Sequence, residues 1–260
     1  MVEDLRVTLI QSPLVWLSPD ANREMFAQLL APLKGKTDLV VLPEMFTTGF
    51  MMQPELHAEG SAPATLVWMQ QQAEQMGSAV CGSIAMLAER GFVNRFLFVE
   101  PNGESRFYDK RHLFRMGQEQ QHYEGGARRV VFNYRGWRIL PTVCYDLRFP
   151  VFMRNRNDYD IAICVANWPE PRREPWRALL IARAIENQSY MLGVNRIGSD
   201  GSGLSYSGDS MALDYKGEAL IDNAPHAEFV ETVALNHQSL VDFKTKFPAW
   251  QDADDFELII

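Results

Sequence analysis

Cysteine is scarce in this chain: Cys81, Cys144 and Cys164 are the only three among 260 residues. Three is too few and too odd a number for a disulfide framework, so reduced thiols in a reducing compartment are expected, with at least one available for chemistry. Long apolar runs are missing too. None approaches the ~20 residues that cross a bilayer, and the opening Met1 to Arg6 has no basic stretch leading into an apolar one. A cytoplasmic protein is expected, with no membrane partner. Positive charge is in deficit: 25 Lys and Arg against 33 Asp and Glu leave a net charge of −8, which argues against nucleic acid as a partner. The five histidines show no paired ligand spacing, so no metal is expected. Phosphate-cradle, dinucleotide and Gly-x-Ser-x-Gly patterns are all absent, leaving no support for a bound cofactor or a serine nucleophile.

What is present is an ordinary globular composition, 47% apolar and 22% charged. No repeat, low-complexity tract or Pro/Ser-rich linker interrupts it, so a single domain over residues 1–260 is the simplest division. Leu5 to Ile10 reads as a strand. Ser18 and Pro19 read as the start of a helix that Gly35 ends. Asp38 to Leu42 reads as a strand buried on both faces. The cycle repeats with a helix over 63–76, a stop at Gly77 and a strand over 79–84. Alternating runs follow at 92–99 and 128–134, flanking a polar loop over 111–127. Then come a strand over 137–143, a helix near 150–157, a strand over 160–166 and a helix over 174–188. Short strands near 209–214, 217–222 and 227–234 and a helix over 237–244 complete the pattern. Buried strands alternating with helices, joined by hairpins, predict two mixed sheets with helices outside. The helix over 174–188 has an apolar surface wider than one core-facing stripe, which is read either as a contact with a second subunit or as burial within the chain.

Three reactive side chains follow strand-like runs: Glu44, Lys110 and Cys144. Strand ends in α/β sheets are where ligands bind. A thiol becomes a strong nucleophile as its thiolate, which a neighbouring base and a positive charge both favour. Glutamate and lysine supply those two functions, but spacing alone leaves open whether the three meet. Cys81 and Cys164 lie inside apolar strand-like runs, where a buried inert thiol is the common role. A thiol redox protein would need a resolving thiol near Cys144, and no Cys-x-x-Cys spacing offers one. A non-catalytic dimeric interaction protein of the same fold is the other alternative.

The words around these residues are Leu42-Pro43-Glu44-Met45-Phe46, Tyr108-Asp109-Lys110-Arg111-His112-Leu113-Phe114, and Val143-Cys144-Tyr145-Asp146-Leu147-Arg148-Phe149-Pro150. In order and separation they resemble the three signatures of the nitrilase superfamily of carbon–nitrogen hydrolases. The likeness continues through Ala166-Asn167-Trp168-Pro169, Arg183 to Asn187, and Gly208-Asp209-Ser210, covering roughly residues 3–235. It implies an α/β fold, a four-layer α-β-β-α sandwich with two mixed β-sheets, and a homodimer formed through helices, here the one near 174–188. It makes Cys144 the nucleophile, Glu44 the general base, and Lys110, with the Tyr145 backbone N–H, the holder of the oxyanion. Glu119 matches a second glutamate that orients the substrate amide and Lys110. No cofactor is implied.

Within the superfamily, Cys-Tyr-Asp-x-Arg-Phe-Pro with Ala-Asn-Trp-Pro resembles the ω-amidase branch. That implies hydrolysis of the terminal amide of small 2-oxo dicarboxylate monoamides, 2-oxoglutaramate and 2-oxosuccinamate, through a thioester. Aliphatic amidase and N-carbamoyl amidase are the alternatives. The expected pocket walls are Phe46, Met116, Tyr145 and Trp168, and Arg172 and Arg173 are the expected partners of the distal carboxylate. Arg148 is a further candidate for that carboxylate, but a structural ion pair with Asp146 or a neighbouring carboxylate is expected of it, and His112 is expected near the lysine.

Overall fold

The β-branched and aromatic runs of the first half of the chain form one sheet: β1 (Leu5–Gln11), β2 (Leu39–Val41), β3 (Ala79–Ala88), β4 (Gly91–Val99) and β5 (Ser105–Asp109). The second half supplies β6 (Phe132–Tyr134), β7 (Trp137–Val143), β8 (Ile161–Ala166) and β9 (Tyr190–Asn195), the small hairpin β10 (Ile197–Ser199) and β11 (Ser205–Ser207), and β12 (Met211–Leu213), β13 (Ala219–Asp222) and β14 (Phe229–Leu235). The computed structural model describes residues 2–259. Strand order is β14-β1-β2-β3-β4-β5 in the first sheet and β13-β12-β9-β8-β7-β6 in the second. Both sheets are mixed: β1-β2-β3 and β7-β8-β9 run parallel, and the outer pairs are antiparallel.

Period-2 alternation decides which side chains meet the other sheet and which meet the helices. Val7, Leu9, Leu39, Val41, Ala79 and Cys81 join the core that also holds Trp137, Ile139, Ile161 and Ile163 of the second sheet. The intervening Ile10, Val40 and Val80 instead pack on Phe26 and Leu30 of α1 (Pro19–Leu30) and on Met69, Ala73 and Met76 of α3 (Ala64–Met76). The one-turn helix α2 (Pro54–His57) lies between these two in sequence. Past a second one-turn helix, α4 (Pro150–Met153), α5 (Arg173–Asn187) covers the second sheet. There Gly193 of β9 leaves room for Leu180 and Trp176, which a Cβ would meet at 2.5 and 3.0 Å. The last helix is α6 (His237–Lys246). The layers are therefore helix, sheet, sheet, helix. No helix of the described residues is long and apolar enough to cross a membrane.

Two expected elements are shorter than their patterns. The helix near 150–157 stops at Met153, because the Asn155 side-chain oxygen captures the N–H groups of Asp158 and Tyr159, offering the backbone a turn in place of helix. The alternating run 128–134 pairs with β7 only from Phe132, since Arg129 turns aside to the Phe152 carbonyl and Asp158.

Candidate active site

Strand β2 delivers Glu44 three residues past its end, β5 delivers Lys110 directly, and β7 delivers Cys144 directly. Two of these exits are abrupt. Met45 (φ 41°) and Cys144 (φ 46°) both occupy the left-handed region, at a cost on the order of 1–3 kcal/mol each for a residue with a side chain. The surroundings hold both turns. The Met45 N–H donates to Ser83 Oγ at 2.9 Å, and the Val143 N–H donates to Asp146 Oδ2 at 2.9 Å. Asp146 also accepts the Tyr108 hydroxyl at 2.8 Å and both the backbone N–H (3.0 Å) and Nδ1 (2.8 Å) of His112. One carboxylate thus ties the turn at Cys144 to the segment carrying Lys110.

The Lys110 ammonium is fully buried and lies 3.0 Å from Glu44 Oε1 and 3.0 Å from Glu119 Oε1, both equally buried. Further donors hold the carboxylate oxygens as well. Asn94 Nδ2 donates to Glu44 Oε1 at 2.8 Å, the Asn167 N–H donates to Glu44 Oε2 at 2.7 Å, and the Phe114 N–H donates to Glu119 Oε2 at 2.6 Å. Cys144 Sγ sits 4.0 Å from the Asn167 carbonyl oxygen, so sulfur and carboxylate share a neighbour. Burial alone would lower the lysine pKa, but the Glu119 and Glu44 carboxylates outweigh it and hold the ammonium well above its ordinary range. Burial pushes the Glu119 carboxyl up, against the pull of Lys110. Burial and then Glu44 push the Cys144 thiol well up, against the smaller pull of Lys110. The resting sulfur is accordingly a neutral thiol beside a base, and its proton must leave as it attacks.

The thiol opens on a cavity of about 220 Å³. Phe50, Met52, Phe114 and Trp168 form apolar walls, Arg148 and Arg172 bring guanidinium groups, and the tip of the β10–β11 hairpin closes one side with Asp200, Leu204 and Tyr206. A compact apolar cleft with a few convergent polar groups is the form of a small-molecule site. Among the described residues, no group of three or more His, Cys, Asp and Glu side chains is arranged to hold a metal ion.

The model of the carbon-nitrogen hydrolase family matches residues 6–245. The chain belongs to this family. It is 52% identical over 255 residues to the omega-amidase YafV of Escherichia coli strain K12, covering 98% of each chain. The 2-oxoglutaramate amidase of Bacillus subtilis is 26% identical, over 95% of this chain and 96% of its own. Among solved structures, XC1258 of Xanthomonas campestris, a CN-hydrolase superfamily protein, superposes with a TM-score of 0.96 at 43% identity, over 98% of this chain and 99% of that one.

In this carbon–nitrogen hydrolase, Glu44, Lys110, Glu119 and Cys144 lie in one cluster, and Tyr145, Trp168 and Arg172 line its cavity. Five expectations need correction. Phe46 is no pocket wall: the left-handed turn at Met45 sends it into the helix-side core, edge-on to Phe26 with ring centres 5.6 Å apart. Met116 is 78% exposed, and its neighbour Gly117 is what reaches the cavity. Arg173 is engaged at the start of α5, where it pairs with Asp209. Arg148 pairs with no carboxylate among the described residues, because Asp146 is already occupied by Val143, Tyr108 and His112. His112 stacks on Phe149 at 3.8 Å rather than touching the lysine. Reading by local words included Asn167 but gave it no role, and missed Asn94 and the hairpin tip. A polar Asn94 in an otherwise apolar strand was the available signal.

Proposed function

We propose that this chain is a cysteine-dependent ω-amidase that hydrolyses the terminal amide of 2-oxoglutaramate and 2-oxosuccinamate and releases ammonia. The observation that carries the reading is a cysteine thiol facing a small cavity beside one ammonium clamped by two buried carboxylates. Similarity to the E. coli omega-amidase and the B. subtilis 2-oxoglutaramate amidase supports the substrate class. In this mechanism Glu44 takes the thiol proton as Cys144 attacks the amide carbon. Lys110 and the Tyr145 N–H, at the start of a 3-10 turn where backbone donors have no partner within the turn, hold the negative oxygen. Glu44 returns its proton to the departing ammonia, leaving a thioester. The same carboxylate then activates water, which releases the acid and regenerates the thiol. Glu119 keeps Lys110 in place, and Arg172 adds positive charge where the distal carboxylate lies.

The chemistry needs Cys144 reduced, which suits the cytoplasm. A homodimer through α5 is part of the same proposal, supported by Ile185, which is 52% exposed on that helix; light scattering in solution tests it. The activity is tested by measuring ammonia from 2-oxoglutaramate, glutamine, a simple aliphatic amide, an N-carbamoyl amino acid and a nitrile. Turnover confined to the last three would overturn the reading.

A further inference from the structure

We infer that Lys244 is a modification site, a buried amine that takes an acyl group from a small acyl phosphate. Of the other lysines, Lys34, Lys36, Lys216 and Lys246 are exposed, and Lys110 is clamped between Glu44 and Glu119. Lys244 differs from both kinds. It is 9% exposed, and among the described residues no carboxylate pairs with its ammonium, whose acceptors are Asn157 Oδ1 at 3.2 Å and the Tyr159 carbonyl at 3.5 Å. Asn157 also lines a cavity of about 570 Å³, together with Lys244, Leu240, Pro248 and Trp250. The nitrogen therefore lies at the wall of a space that admits a small molecule. This cavity shares no lining residue with the one at Cys144.

The charges that face this amine are spent on one another. Asp160, just before β8, pairs with Arg138 of β7 at 2.6 Å, and Asp158 pairs with Arg129 at 2.5 Å. His237, at the start of α6, also lines the cavity and stands edge-on to Trp137 with ring centres 4.8 Å apart. Burial is left as the main influence and lowers the Lys244 pKa to about 8; Asp160 and Asp158 oppose the shift, and Arg138 adds to it. A desolvated lysine is a nucleophile near neutral pH. Its neutral nitrogen attacks the acyl carbon and forms a C–N bond, the C–O bond to phosphate breaks with its electron pair leaving on phosphate, and the surplus proton passes to water. The amide so formed is uncharged and keeps one N–H for Asn157. Acylation thus removes a buried charge that opposes folding, whereas at an exposed lysine it removes a solvated one.

The test incubates the full chain with acetyl phosphate between pH 7 and pH 10 and follows acetylation of each lysine by peptide mass spectrometry, with Lys34, Lys36, Lys216 and Lys246 as internal references. At pH 8 about half of an amine with a pKa near 8 is unprotonated, against less than about 1% of an ordinary lysine. Lower basicity also weakens a nucleophile, as it does for thiols, so Lys244 should lead the references by about tenfold. Its rate should level off above about pH 9, while theirs go on climbing. Acetylation should raise the thermal melt of the wild type at pH 7, by less at pH 9.5, and leave that of Lys244→Met unchanged. If Lys244→Met does not fold, labelling of the wild type decides the matter. Labelling of Lys244 no faster than the references, or a rate that climbs in step with theirs past pH 9, would overturn the inference. So would a melt that falls on acetylation at pH 7 in the wild type alone.

Discussion

Asn167 grips Glu44 at two points: its backbone N–H donates to Oε2 at 2.7 Å, and its side-chain amide donates to the Glu44 carbonyl at 2.6 Å. The two residues come from different sheets. Glu44 follows β2, and Asn167 follows β8, whose register sets Val165 beside Val143, immediately before Cys144. The packing of one sheet on the other therefore sets where the carboxylate stands relative to the sulfur.

Asn94 completes that grip with a 2.8 Å bond to Glu44 Oε1. Replacing it with alanine leaves this oxygen to Lys110 alone. A hydrogen bond to a charged group contributes about 1.5–3 kcal/mol, so Asn94→Ala should lower kcat for the amide on the order of 10- to 100-fold with little change in KM. Steady-state ammonia release measures both. An unchanged kcat would mean that the lysine suffices to orient the base.

The charge of the cluster should be readable through the sulfur. Glu44 and Glu119 both raise the Cys144 pKa, Glu44 more strongly, and Lys110 lowers it. Removing a negative neighbour favours the thiolate, so the midpoint of iodoacetamide alkylation against pH should move down in Glu119→Gln and further down in Glu44→Gln. Cys144→Ala, which removes the attacking atom, should lose both turnover and this labelling while the thermal melt stays near the parent's. An upward shift in either glutamine variant would show that the carboxylates act on the thiol in some way other than by charge.

Much of this arrangement was legible because its parts are local. Glu44, Lys110 and Cys144 each stand beside a strand whose apolar run is visible in sequence, and strand ends in a layered α/β fold point toward shared crevices. What escaped notice depends on backbone handedness or distant partners. Phe46 lies two residues from Glu44, yet the positive φ at Met45 turns it to the opposite side. Arg148 and Asp146 look like a pair by proximity along the chain, but Tyr108 and His112 reach Asp146 from 38 and 34 residues away. Strands β10 and β11 are three residues long and rich in serine and glycine, too short for any alternation to show, so the hairpin that closes the cavity left no periodic trace.

Gly126 should be the most sensitive glycine near the site. Its N–H donates to the Lys110 carbonyl at 2.9 Å, and a Cβ there would stand 2.0 Å from the Asp109 carbonyl oxygen. Backbone cannot yield as a side-chain tip can. Gly126→Ala must push the end of β5 aside and carry Lys110 away from Glu44, with a destabilisation of about 1–3 kcal/mol, typical of overpacking, and a fall in kcat of at least tenfold. Gly60→Ala, where a Cβ meets nothing within 4 Å, is the control. Denaturant titration and turnover measured together would expose the error if Gly126→Ala matched the control.

Far from the cavity, Lys244 should give the fold a pH dependence of its own. Among the described residues its ammonium is bonded only to Asn157 Oδ1 at 3.2 Å and the Tyr159 carbonyl at 3.5 Å. Burial lowers its pKa to about 8 from an ordinary 10.5; Asp160 offsets part of this, while Arg138 adds to it. Between those two values the unfolded chain binds more protons at this position than the folded one, so stability rises with pH across the window. Below about pH 8 the penalty of burying the ammonium is fully present; above about 10.5 it is gone. Denaturant unfolding at pH 7.5 and 9.5 should show the wild type gaining on Lys244→Met by on the order of 1–2 kcal/mol. Comparing the two proteins cancels the other groups that titrate in this range. Parallel stability curves would mean that the ammonium is as well solvated in the folded protein as in water.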